Sequence, residues 1–217
     1  MKDKIVIAID AMGGENAPNK NIEGISIFFD KNKKSNDYFF NIYGDENLIK
    51  NEISKFKIDE SKIKIFNTPT VVSDEETPLT AIKNSKNTSM WNSIKAQADG
   101  EADISLSAGN TGVLFVISKM ILKMMNKVSK PALAGLWPSK KGMSVVLDLG
   151  ANIECNEKNL SDFASMGSAL FKSLFVNLST SFTFNENYST LIRVIELSYL
   201  SNVVSSNTYL STSIGGN

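Results

Sequence analysis

The sequence predicts an α/β fold built on a mostly parallel sheet. Three observations carry that expectation. Apolar runs of strand length alternate with segments of helical spacing through most of the chain. Glycine-bearing polar loops, MGGENAP, SAGNTG and LGANIEC, follow three of the predicted strands. The bulk composition, 217 residues with 42% apolar and 21% charged side chains, is that of a folded domain with length enough for a real core.

The elements follow in order. KIVIAIDA, residues 4–11, reads as a strand buried on both faces. MGGENAP is the loop after it, and Pro18 is placed to open a helix over 19–31. FFNIYG (39–44) is a second strand. DENLIKNEISKF (45–56) spaces Leu48, Ile49, Ile53 and Phe56 on one helical face behind an Asp45 cap. KIKIF (62–66) is a short third strand. TPTVVSDEETP is a loop, and Pro78 opens one long helix to about Asp99. ADISLS (102–107) is a fourth strand and leads into a helix over 110–125. PALAGLWP (131–138) and MSVVLDLG (143–150) read as strands, and NLSDFASMGSALFKSLF (159–175) as a helix.

Several function classes are excluded by composition. Formal net charge is zero, which gives no bulk attraction to nucleic acid. A single cysteine, Cys155, rules out an internal disulfide framework and fits a reducing cytosol. No run of eighteen apolar residues predicts a membrane span, and MKDKIVIAIDAMGG reads as a first strand rather than a signal peptide. There is no histidine, which removes Ser-His-Asp and Cys-His catalysis and the commonest zinc ligand. The lone arginine is Arg193, so anion recognition before it falls to lysine, hydroxyls, asparagine or backbone amides.

In parallel sheets, ligands collect where strands end at their carboxyl side. SAGNTG, residues 107–112, is such a place. Gly109 and Gly112 permit a tight turn and close backbone approach. Asn110 and Thr111 can cap the next helix, whose N-terminus favours an anion. No GKS or GKT follows, and no GxGxxG occurs, so neither an NTPase loop nor a dinucleotide fingerprint is present.

Composition changes after Phe175. All lysines lie at or before Lys172, and residues 176–217 are rich in Ser, Thr and Asn, with only Glu186 and Glu196 acidic. The domain expectation is therefore an α/β domain over 1–175 and a divergent tail over 176–217. That tail reads either as a low-complexity, disordered extension or as the product of a reading frame that slips near Phe175.

Four segments occur together in order: IAIDAMGGENAP, ADISLSAGNTG, KPALAGLWPSKKG and LDLGANIECNEKNLSDFASMGSAL. With these, residues 4–175 resemble the bacterial phosphate acyltransferase PlsX family. The family's first motif has Asp where this chain has Glu15. The resemblance implies a three-layer α/β/α sandwich related to isocitrate and isopropylmalate dehydrogenases, here truncated. It implies conversion of fatty acyl carrier protein and inorganic phosphate to acyl phosphate and free carrier protein, in phospholipid synthesis. It implies a cytoplasmic homodimer with acyl carrier protein as partner, no cofactor and no metal. Peripheral membrane contact is a family property linked to a later part of the family chain, so it is not carried over. The family's continuation is missing, which leaves a second reading: a remnant that dimerises or binds carrier protein without turnover. A phosphotransacetylase-like enzyme acting on acyl-CoA is a third, disfavoured by DAMGG and SAGNTG.

By motif position, the resemblance implies catalytic roles for Ser107, Asn110, Thr111 and Asn152. It implies phosphate or substrate contacts for Asp10, Gly13, Gly14, Lys83, Gly109 and Gly112. Phosphate is already an anion at neutral pH, and a thiolate is a fair leaving group, so positioning and oxyanion stabilisation suffice without a histidine base. In AIKNSKNTSM, Lys83 stands in a family Arg place and Ser85 in a Lys place, so the bidentate fork is lost. Lys83 and Lys86 are candidates for phosphate or for an acidic carrier surface. Cys155 reads as a packing residue rather than a nucleophile. Lys140 and Lys141 read as a solvated turn, and Met120, Met124 and Met125 as core or dimer packing.

Overall fold

A computed structural model describes residues 4–33, 37–73, 77–139, 142–175, 180–185 and 194–199. The chain divides into two compact units, Met1–Lys127 and Val128–Asn217.

The first unit holds β1 (Ile5–Asp10), α1 (Asn19–Lys31), β2 (Tyr38–Gly44), α2 (Glu46–Ile53), β3 (Ile63–Asn67), α3 (Pro78–Asn84), α4 (Ser89–Ala98), β4 (Ile104–Ser107) and α5 (Thr111–Leu122). Its sheet runs in the order β3-β2-β1-β4 and every pair is parallel. The expected α/β architecture is present. Strand alternation sorts the two faces. Ile7 and Ile9 of β1 join Phe40 and Ile42 of β2 against Ile22 and Ile25 of α1 and Ile49 and Ile53 of α2. Ala8 and Tyr43 face the other way and pack with Ala96 of α4 and Ala102. The result is helix, sheet, helix in three layers. The small Ala8, Ala96 and Ala102 let α4 lie close to the sheet.

Caps explain most helix boundaries. Asp45 accepts from Leu48 N at 2.9 Å and starts α2. Asn110 accepts from Val113 N at 3.1 Å and starts α5. The long helix expected from Pro78 to Asp99 is instead two helices. Ser85 O accepts from Thr88 N at 3.1 Å and from Thr88 Oγ1 at 2.7 Å. Asn87 has φ 65°, a left-handed conformation that asparagine tolerates. Thr88 then caps α4 by accepting from Trp91 N at 3.2 Å. Ser, Asn and Thr here offer the backbone partners that compete with a continuous helix. The helix expected over 110–125 ends at Leu122. Met120 and Met125 are exposed, so the three methionines do not form a core stripe in this unit.

The second unit holds β5 (Ala134–Ser139), β6 (Gly142–Leu147), α6 (Glu157–Leu174), β7 (Thr180–Asn185) and β8 (Val194–Tyr199). Its sheet runs β5-β6-β8-β7 and is antiparallel throughout. Two residues separate β5 from β6, and a parallel connection needs a crossover of a dozen or more. Val145 and Leu147 pack with Phe163 and Phe171 of α6. A reciprocal cap between Asn156 and Asn159 starts that helix. β7 and β8 lie in the tail read as divergent; its other residues, and the Lys140–Lys141 turn, lie outside the described residues.

Candidate active site

In the first unit, β1 and β4 are neighbours and their last residues, Asp10 and Ser107, stand opposite each other in the ladder. Parallel pairing puts both side chains on the same face of the sheet. Ser107 Oγ donates to Asp10 Oδ2 at 2.7 Å, and Gly109 N donates to Ser107 Oγ at 3.1 Å. Met12 N donates to the other carboxylate oxygen at 3.3 Å. Asp10 is 1% exposed, so its charge is held by neighbours rather than by bulk water. The serine thus commits its proton to Asp10 and a lone pair to the next turn. Its hydroxyl ties the strand end to the loop.

Two glycine loops close on each other around this pair. A Cβ at Gly13 would lie 2.5 Å from Asp10 Oδ2 and 2.8 Å from Gly109 N. Only glycine fits there. Gly14 has φ 93° and lies over Ala108, where a Cβ would meet the carbonyl oxygen at 2.7 Å. Asn21, in the first turn of α1, donates to Ala11 O at 2.9 Å and Gly13 O at 3.0 Å and so holds the MGG loop. The sequence reading missed Asn21; its signal is an amide in the first turn of α1, where Asn19 stands beside it.

The turn then enters α5. Asn110 takes up the Val113 amide, and Thr111 and Gly112 are exposed in the first turn. Helix geometry leaves first-turn amides without intrahelical partners, and their field favours an anion. A Cβ at Gly112 would stand 3.3 Å from Pro78 Cγ, which places the start of α3 beside the start of α5. Lys83 on α3 and Lys86 just after it are exposed. Asp10, Gly13, Gly14, Ser107, Gly109, Asn110, Thr111 and Gly112 are therefore brought together in one unit.

Asn152 lies in the second unit. Its Nδ2 donates to Pro131 O and to Asp148 Oδ1, both at 2.8 Å, and its backbone amide donates to the same carboxylate oxygen at 3.2 Å. Asp148 is 2% exposed and left-handed, with φ 58°. Cys155 Sγ donates to its other oxygen at 3.7 Å. A carboxylate beside the thiol is the opposite of the electropositive setting that activates a nucleophilic cysteine. Asp148 was missed, although the signal was there: VVLD ends an apolar strand on a buried acid as IAID does.

The first unit also has a surface cavity of about 370 Å³ that includes none of the expected site residues. Tyr43 and Phe66 stack at 4.7 Å on its floor, and Asn92, Lys95, Asp99 and Glu101 line it. It lies at the β3 edge, on the face that α4 covers farther in. Burial, reinforced by the charge of Glu101, pushes the Tyr43 hydroxyl up to about 12. The Asp10–Ser107 turn differs from this cavity in combining closed glycine loops with a helix N-terminus.

Among known proteins, the family described as fatty acid synthesis protein matches residues 5–183. A phosphate acyltransferase from Pelagibacter ubique is 50% identical over 175 residues, covering 81% of this chain and 51% of that protein. One from Rhodospirillum rubrum is 39% identical over 167 residues, covering 77% of this chain and 47% of that protein. The chain spans about half the length of the curated relatives it matches. Among solved structures, EutD phosphotransacetylase from Staphylococcus aureus aligns with a TM-score of 0.51 at 16% identity, covering 78% of this chain and 54% of that one. That likeness bears on the fold alone. In the described residues, no helix is long and apolar enough to cross a membrane.

Proposed function

The chain belongs to the PlsX family of fatty acid synthesis proteins, and from that membership we propose that it is a phosphate acyltransferase of lipid synthesis. The donor is a fatty acyl thioester of acyl carrier protein and the acceptor is inorganic phosphate. A phosphate oxygen attacks the thioester carbonyl carbon, the carbon–sulfur bond breaks, and the carrier thiolate leaves and takes a proton from water. Acyl phosphate and free carrier protein result.

The observation that supports this reading is the turn closed by Asp10 and Ser107, which sits inside the matched region. The α5 N-terminus supplies the field for an anion, and the exposed Thr111 hydroxyl is a donor beside it. Ser107 acts through the turn, since its proton is held by Asp10. A positioned phosphate needs no general base, which suits a chain without histidine. Lys83 adds positive charge on α3, the helix packed against α5, and Lys86 adds it just after that helix, where phosphate or an acidic carrier surface would approach.

The test is to incubate the purified chain with acyl-loaded carrier protein and phosphate, then trap acyl phosphate with hydroxylamine. Phosphate-dependent product supports the reading. Product from acyl-CoA but not from the carrier-bound donor moves the chain to a phosphotransacetylase-like reaction. Carrier binding with no product from either donor supports the non-catalytic reading instead.

A further inference from the structure

Among the described residues, two buried side-chain polar atoms lack a hydrogen-bond partner: Ser85 Oγ and Ser89 Oγ. Both residues are 0% exposed. Buried hydroxyls are almost always satisfied, so a pair of orphans within one turn of each other calls for a reason. Around them the local bonds are otherwise made. Ser85 O holds Thr88 N and Oγ1, Thr88 Oγ1 holds Trp91 N, and Ser89 N donates to Thr70 O at 3.0 Å.

Their place is informative. Ser89 is the first residue of α4, a ten-residue helix, and Ser85 is bonded to its cap. Ser89 therefore stands in the first turn of α4, at its positive end, and Ser85 is tied to the cap of that turn. The stretch that carries them touches the SAGNTG turn at both ends. Pro78 Cγ lies 3.3 Å from where a Gly112 Cβ would be, and Met90 Cε 2.8 Å from where a Gly109 Cβ would be. Lys83 and Lys86 flank Ser85 and are exposed, and the described ion pairs use other lysines.

We infer that Ser85 and Ser89 are phosphate-binding residues, whose hydroxyls donate to the oxygens of inorganic phosphate held at the Ser107–Asn110 turn. This rests on the function proposed above. Asn84, Lys86 and Asn87 are exposed around the buried Ser85, so phosphate reaches these hydroxyls by displacing the link between α3 and α4. Two hydroxyls reserved for a ligand have a signature that structural serines lack. Replacing them with alanine removes unsatisfied polar groups, which steadies the free protein, while it removes donors from the complex.

The experiment titrates inorganic phosphate into the 217-residue chain, the single variants Ser85→Ala and Ser89→Ala, the double variant, and Thr111→Val, at constant ionic strength in chloride. Calorimetry reads the dissociation constant, and melting is recorded without phosphate. We expect the double variant to melt at or above the wild-type temperature and to bind phosphate roughly tenfold more weakly or worse. Phosphate should also slow amide hydrogen exchange over residues 84–92 in the wild type and not in the double variant. If Thr111→Val weakens phosphate binding while the serine variants bind as the wild type does, the inference falls and the proposed function stands. If the serine variants melt well below the wild type, the hydroxyls are structural and the inference falls. If the wild type shows no saturable phosphate binding, both fall.

Discussion

At the scale of single residues, the site depends on Ser107 as a connector. Its hydroxyl joins a buried carboxylate to the amide of Gly109. Ser107→Ala removes the partner of Asp10 Oδ2 and the acceptor of the Gly109 amide, while Met12 N still donates to Asp10 Oδ1, and we expect a loss of about 1–3 kcal/mol in denaturant unfolding. Gly13→Ala tests the loop packing. The added methyl meets Asp10 Oδ2 and the Gly109 backbone well inside contact distance, so we expect a loss of about 1–3 kcal/mol together with loss of phosphate binding. Normal stability in that variant would show that the two loops do not close as described. Tyr43 allows a test with a defined sign. Its hydroxyl titrates near 12 when folded, against about 10 when unfolded. The folded state therefore keeps a proton that the unfolded chain releases. Tyr43's contribution is intact below about pH 10 and is lost as pH rises towards about 12. Melting temperatures across that window should fall less steeply for Tyr43→Phe than for the wild type.

At the scale of elements, the break between α3 and α4 is the main departure from the helical reading of the sequence. The run from Pro78 onward has good helix formers, yet Thr88 starts a second helix by taking the Trp91 amide. Thr88→Ala should cost about 1 kcal/mol in unfolding free energy. In the second unit, Asn156 is half of a reciprocal cap on α6, and Asn156→Ala should cost a similar ~1 kcal/mol. A null effect in either case would mean that packing, not the cap, sets the helix start. β5 and β6 teach a related lesson about connections. Both were legible as strands, but their direction follows from the two residues between them, which forbid the crossover that parallel strands need.

At the scale of the whole molecule, each unit has its own core, and among the described residues Thr88 bonds to Ser85 and Trp91 while Asn156 bonds to Asn159. Their effects should add, within about 0.5 kcal/mol, in the Thr88→Ala/Asn156→Ala double variant. A larger coupling would mean that the two caps are energetically linked. The sequence by itself determined the α/β class, because burial on alternate strand faces and on one helix stripe imposes periods of 2 and 3.6 that any reader can see. It determined the candidate turn as well, because a tight strand-to-helix turn needs glycine and a helix start needs a cap, and SAGNTG spells both. Family membership was equally legible in the four ordered motifs. Only the tertiary structure decided what those residues do to one another. Ser107 looked like a donor for a ligand; the register of β1 against β4 puts Asp10 beside it, and the carboxylate accepts its hydrogen bond. Asn152 looked like a companion of the turn; its amide is drawn to Asp148 and Pro131 within its own unit. Ser85 and Ser89 drew no notice as ligand donors, because a hydroxyl without a partner is invisible until its surroundings are known. Local pattern encodes which elements form, through propensity and period. Partners far apart along the chain, 97 residues for Asp10 and Ser107, are chosen by sheet order and packing, which no local pattern records.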